Sequence, residues 1–268
     1  MDDPVPAIAE ADATGETAAL FADIRTVLGV GVVNLIWRHL ATLPGALPWA
    51  WGGLRPLYRD GSLAATAAAL GGRLSPPATP GLPPEVLAAG LDPSAQAGIA
   101  AVLAAYERTN PLALIALTAL QRRLEGLPSA EAAVPLAPPP APNLPLPPLP
   151  AALPSEVAAL VLRLNTLGAE REDAMMATMY RHLAHWPPYL ALAWATLAPL
   201  AANATLATAI AACRQQANTL ASALAVPALP PPPEPEAIAG ALDRFAGEVL
   251  PRMVVIRAIL AGDKRFKQ

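Results

Sequence analysis

The chain has 268 residues, 54% hydrophobic and 15% charged, with a formal net charge of −3 at pH 7. That balance leaves ample apolar surface for a core and excludes charge-driven disorder, and the slight acidity excludes a general nucleic-acid binder. A single cysteine, Cys213, excludes an intrachain disulfide framework and any cysteine-cluster metal site.

The elements predicted in chain order are all helical. The N-terminus, MDDPVPAIAEADATGE, is acidic where a secretory signal has a basic start and an apolar run; a cytoplasmic protein is expected. A helix over 16–28 follows. Residues 33–42 form a second, running up to Pro44 and placing Asn34 and Arg38 one turn apart. Residues 63–70 are Ala-rich and stop at Gly71-Gly72. Asp92-Pro93 opens a helix in the favoured order, cap and then proline, reaching about residue 108. Another covers 112–124 after the Asn110-Pro111 step. The second half offers helices over 155–167, 174–185, 190–224 with an interruption at Pro199, 236–250 and 252–260. No alternating strand pattern occurs, so an all-α fold is expected. Residues 186–213 carry no charge, but prolines, Asn203 and the lack of a basic flank favour a buried helix pair, and no membrane span is expected.

The chain also contains an internal repeat. Residues 37–51 read WRHLATLPGALPWAW and residues 180–194 read YRHLAHWPPYLALAW. Arg, His, Leu, Ala, Pro, Leu, Ala and Trp recur at the same places. A later proline-rich break, SPPATPGLPPE at 75–85, is answered by VPALPPPPEPE at 226–236. The two halves, 1–134 and 155–268, are joined by a stretch over 135–154 of which half the residues are proline, an extended and semi-rigid spacer. Two tandem helical repeats packed as a pseudo-dimer are expected.

Gly-rich nucleotide loops, HExxH, GxSxG and EF-hand loops are all absent. His182 and His185 have a spacing that can hold a metal on one helix face. No further ligands cluster with them, so neither a metal nor another cofactor is expected. His39 and His182 are repeat equivalents, each following Arg near a helix end, where a donor suits the last carbonyls. A single site between two similar halves should instead draw on residues that differ between them. Those are Asn34 (matched by Ala177), Trp37 (matched by Tyr180) and Asn110, although ERTNP around Asn110 equally suits a helix-ending turn. Glu170, Glu172 and Asp173 suit either a general base or the first turn of a helix. Met175, Met176 and Met179 suit adaptable core filling or an apolar pocket.

The segments VNLIWRHLATLPGALPWAW, AYERTNPLALIALTAL and YRHLAHWPPYLALAW, with the closing helices, resemble the group I 2-haloacid dehalogenases. That family consists of all-α enzymes made of two tandem repeats. The resemblance implies hydrolysis: an Asp activates water, which attacks the α-carbon of a short 2-haloalkanoic acid and expels halide with inversion, without a cofactor. It assigns Asn110 to holding the water and Thr178 to the hydroxyl residue beside the family's Asp. The position of that Asp, two before Arg181, is Met179 here. The family's pocket aromatics fall on Val32 and Leu35, and its closing-helix Tyr falls on Leu242.

Three readings follow. In the first, a hydrolase works through a substitute base, His182 with its ordinary pKa or Asp173 upstream. In the second, the pocket remains as a binding site for a small apolar or carboxylate ligand. In the third, the pseudo-dimer is structural, for instance within a homodimer. Arg38 and Arg181 are the nearest cations for a carboxylate, and Asn34, Trp37 and Tyr180 complete the expected substrate contacts. An enclosed cavity touching Asn110, Thr178 and His182 would support the first two readings, and a filled interface the third.

Overall fold

Helix boundaries follow from local chemistry. The computed structural model of the chain describes residues 5–79, 84–128, 130, 144 and 146–261. Among these there is no strand, only an isolated parallel bridge between Val30 and Leu144, so the fold is all-α. After a 3₁₀ turn at Glu10–Asp12 come α1 (Gly15–Leu28), α2 (Leu35–Leu40), α3 (Ala46–Arg59), α4 (Ser62–Arg73), α5 (Pro84–Gly90) and α6 (Pro93–Leu124). Beyond the proline-rich stretch lie α7 (Ser155–Thr166), α8 (Thr178–Leu183), α9 (Pro187–Ala202), α10 (Thr205–Ala221) and α11 (Pro235–Leu242). A π-helix, Asp243–Val249, then leads into α12 (Leu250–Ala261). Part of the expected spacer, residues 135–143 and 145, lies outside the described residues.

Several boundaries differ from the sequence expectation. The two helices expected on either side of Asn110-Pro111 are one, α6, with Pro111 inside it. Proline removes one backbone hydrogen bond and crowds the preceding turn, at a cost of about 3 kcal/mol. Leu112, Leu114, Ile115, Leu117 and Leu120 beyond it are all buried, and each contributes roughly 1.5–3 kcal/mol, so burial wins. The Asp92 carboxylate caps the start of α6 by accepting from Ala95 N at 2.8 Å, and Pro93 follows it as expected. Helix α4 does not stop at Gly71-Gly72 but runs to Arg73, carrying a buried stripe of Leu63, Ala67 and Leu70.

The long helix expected over 190–224 does break, but not at Pro199. That proline lies inside α9, and the break is at Asn203–Ala204, where Ala204 adopts a left-handed φ of 61° and the chain turns by 85° into α10. Among the described residues no single helix is long and apolar enough to cross a membrane. The bent pair α9 and α10 passes a length and composition test only when taken together.

Helix α6 is the central post. It packs against α4, α10, α12 and the π-helix, and α4 and α10 also meet each other, so the two halves of the chain share one core.

Candidate functional site

The helix expected over 174–185 is short because its first residues are held extended. Asn165, near the end of α7, accepts from Ala177 N at 3.0 Å and donates to the Ala174 carbonyl at 3.1 Å. Arg252 of α12 is fully buried and donates to the Asn165 carbonyl at 2.5 Å, to Asn165 Oδ1 at 3.2 Å and to the Met175 carbonyl at 3.0 Å. Backbone groups engaged in this way cannot enter a helical ladder, so α8 begins only at Thr178. The matching lead-in to α2 is pinned by Glu10, whose Oε1 accepts from Val33 N at 2.8 Å while Oε2 pairs with Arg25 at 2.6 Å.

These two lead-ins, together with α6, line a cavity of about 680 Å³ that is partly open to solvent. Helix α6 contributes Tyr106, Thr109 and Asn110, and α8 contributes Thr178, Met179 and His182. The α2 side supplies Val32, Asn34, Leu35 and Arg38, and Glu10 stands at its edge. Phe245 and Val249 of the π-helix and Leu250 and Met253 of α12 form another wall. Leu146, Pro148 and Leu149, from the stretch expected to be only a spacer, form a further one.

Of the residues expected at the site, Asn110, Thr178, His182, Met179, Asn34, Val32, Leu35 and Arg38 line this cavity. The others do not. Asp173 is exposed, paired with Arg171 at 2.9 Å and with Arg244 at 2.9 Å, which hold its carboxyl below the usual range. It is therefore not a base in this cavity. Trp37 and Tyr180 fall on the opposite side of their short helices and are fully buried, Trp37 edge-on to Trp51. Arg181 is buried away from the cavity lining, and Leu242 is buried at the end of α11, with Phe245 lining the cavity instead.

Asn110 does not end a helix. It sits mid-α6, 4% exposed, with its Nδ2 buried and without a hydrogen bond. Turning the amide over exchanges Oδ1 and Nδ2, so Asn110 can offer a ligand either an acceptor or a donor. Tyr106, one turn earlier, was not read from the sequence as a site residue. Its Oη lies 2.7 Å from His182 Nδ1, and both side chains are buried. A polar aromatic one turn from Asn110 in AYERTN is the signal that would have found it.

The repeat equivalence of His39 and His182 does not extend to their surroundings. His39 Nδ1 reaches the Pro6 carbonyl at 2.7 Å near the surface, whereas His182 is 2% exposed. Burial lowers the His182 pKa to about 4, with His185 and Arg181 adding to the effect and the Pro147 backbone opposing it. The ordinary pKa expected from sequence is thus corrected downward. Burial raises the Tyr106 phenol, so both partners are neutral at pH 7. His182 Nε2 is buried and has no hydrogen bond of good geometry, although the Pro147 backbone lies close enough to act on the ring. Among the described residues no group of three His, Cys, Asp or Glu side chains is placed to hold a metal ion.

The same arrangement of helices occurs in known proteins. A D-2-haloacid dehalogenase mutant superposes with a TM-score of 0.76 at 16% identity, covering 99% of this chain and 97% of that one. A complex of such a mutant with D-2-CPA gives 0.76 at 16% identity over 98% and 96%. A complex of the enzyme with L-LA gives 0.75 at 17% identity over 99% and 97%. The fold is therefore that of the all-α D-2-haloacid dehalogenases. In sequence, the chain is similar to a configuration-inverting 2-haloacid dehalogenase of Alcaligenes xylosoxydans xylosoxydans, 32% identical over 131 residues. That match spans 48% of this chain and less than half, 44%, of the relative. No protein-family model matches the chain. The resemblance to group I 2-haloacid dehalogenases read from the sequence holds in both sequence and fold.

Proposed function

We propose that the chain is a dehalogenase-like protein whose cavity binds a small carboxylic acid with an apolar tail, and that it lacks the base halide displacement requires. The observation that carries this reading is the composition of the cavity wall. Its one carboxylate among the described lining residues is Glu10, and both Glu10 oxygens are already engaged, by Arg25 and by Val33 N. Met179 stands where the resemblance places the catalytic Asp, and a thioether does not take a proton from water at neutral pH. Asn110, Thr178 and Arg38 supply the polar contacts suited to a carboxylate head. Arg38 also donates from Nε to the Ile8 carbonyl at 3.0 Å, which steadies it at the cavity edge.

A second reading keeps hydrolysis, and what favours it is the Tyr106–His182 pair beside Asn110 and Thr178. Its imidazole is neutral at pH 7 but, with its pKa lowered to about 4, a weaker base than an ordinary histidine. Water would attack the α-carbon, the carbon–halogen bond would break with its electron pair leaving on the halide, and the water proton would pass to His182. The ring would have to turn to bring Nε2 into the cavity, giving up its bond to Tyr106. The order of α1–α6, repeated in α7–α12 with α2 and α8 both six residues long, supports our reading of two tandem repeats, 1–134 and 155–268. The cavity touching Asn110, Thr178 and His182 is partly open to solvent rather than fully enclosed, but it is not a filled interface, which favours both ligand readings over a purely structural pseudo-dimer.

Halide release from both enantiomers of 2-chloropropionate and 2-bromooctanoate decides between them. The expected result is no turnover by the wild type or His182→Ala, and measurable turnover by Met179→Asp, whose buried carboxylate would be a strengthened base. Wild-type turnover abolished by His182→Ala would instead establish the second reading.

A further inference from the structure

The size and asymmetry of the cavity point to the class of its occupant. At about 680 Å³ it lies within the 300–1,000 Å³ range of pockets that enclose drug-sized ligands. It has room for about twenty waters at liquid density. A three-carbon acid would leave most of that space filled with water against apolar walls. The polar side chains come from α6, α8 and the α2 side. The π-helix and α12 present only Phe245, Val249, Leu250 and Met253, with no polar side chain among them. Met175, Met176 and Met179 also line the cavity and add flexible thioethers that adapt to an irregular or mobile chain.

We infer that the occupant is a medium-chain carboxylic acid, its head toward Asn110 and Thr178 and its alkyl tail along the wall made by the π-helix and α12. This rests on the reading of the cavity as a carboxylic-acid site and deepens it.

The test is isothermal titration of the full chain with propionate, hexanoate, octanoate and decanoate, with octan-1-ol as the uncharged control. Each added methylene should tighten binding roughly three- to four-fold until the wall is covered, so octanoate should bind at least about a hundredfold tighter than propionate. Val249→Phe, which narrows the tail wall, should weaken octanoate about tenfold and leave propionate within about twofold. Propionate binding as tightly as octanoate would overturn the tail assignment while leaving the acid-binding reading intact. Octanol matching octanoate would overturn the head assignment. No binding by any of the acids would overturn both the inference and the reading beneath it. The wild-type series stands even if Val249→Phe fails to fold.

Discussion

His182 shows how far a side chain's surroundings can depart from what its sequence neighbours suggest. It shares the Arg-His-Leu-Ala sequence with His39, yet one imidazole sits near the surface and the other lies buried against Tyr106. This has a measurable consequence for stability. The unfolded chain binds a proton at His182 near pH 6.5 and the folded chain only near pH 4. Between those values the unfolded state holds more protons, so stability falls as the pH drops through the window and is fully present above it. The loss should approach about 3 kcal/mol. Urea unfolding of the wild type and of His182→Asn at pH 7, 5.5 and 4 should show the variant's profile flattened, and parallel profiles would refute this assignment. Met179 was legible as the decisive position because it lies two residues before Arg181, immediately ahead of the short, ungapped repeat over 180–194. The engagement of Glu10 was not, since its partners Arg25 and Val33 lie 15 and 23 residues away and nothing in their spacing pairs them.

At the level of elements, the sequence located most helices and misjudged where they stop. Proline is a strong local signal, yet Pro111 and Pro199 both lie inside helices because the residues around them are needed in the core. The true corner is Ala204, a residue with no sign of a turn in its identity. A left-handed alanine costs roughly 1–2 kcal/mol that glycine avoids, while glycine itself loses about 0.5–1 kcal/mol in chain entropy. Ala204→Gly should therefore raise the thermal midpoint slightly, by up to about 1 kcal/mol of stability, in calorimetry; a clear decrease would mean the corner is held by more than its backbone. The π-helix was also invisible in the sequence. It differs from an α-helix by the accommodation of an extra residue and has no propensity signature of its own. Its position decides which of 242–249 face the cavity, which is why Phe245 lines it and Leu242 does not.

At the scale of the whole molecule, the repeat was legible because rare residue types recur in order, while the shared core was not, because no local pattern reports which helix meets which. Leu112, Leu114, Ile115, Leu117 and Leu120 of α6 are buried in a core shared with α10 and α12. Exposing these side chains would forfeit on the order of 10 kcal/mol, comparable to the 5–15 kcal/mol total of an ordinary domain. Fragments 1–134 and 135–268 expressed apart should accordingly lack a cooperative thermal transition, whereas the full chain should unfold in one step. Two independently melting fragments would show that the repeats are separable domains.

Leu146, Pro148 and Leu149 give the joining stretch a second role. A tether between repeated units is ordinarily where a chain best tolerates being cut, lengthened or given new termini. Here those three residues are wall rather than rope. On our reading of two repeats, opening or extending the chain at 146–149 would leave both helical halves in place and still breach the cavity wall, so circular permutation at that point should cost binding of the proposed acid rather than the fold.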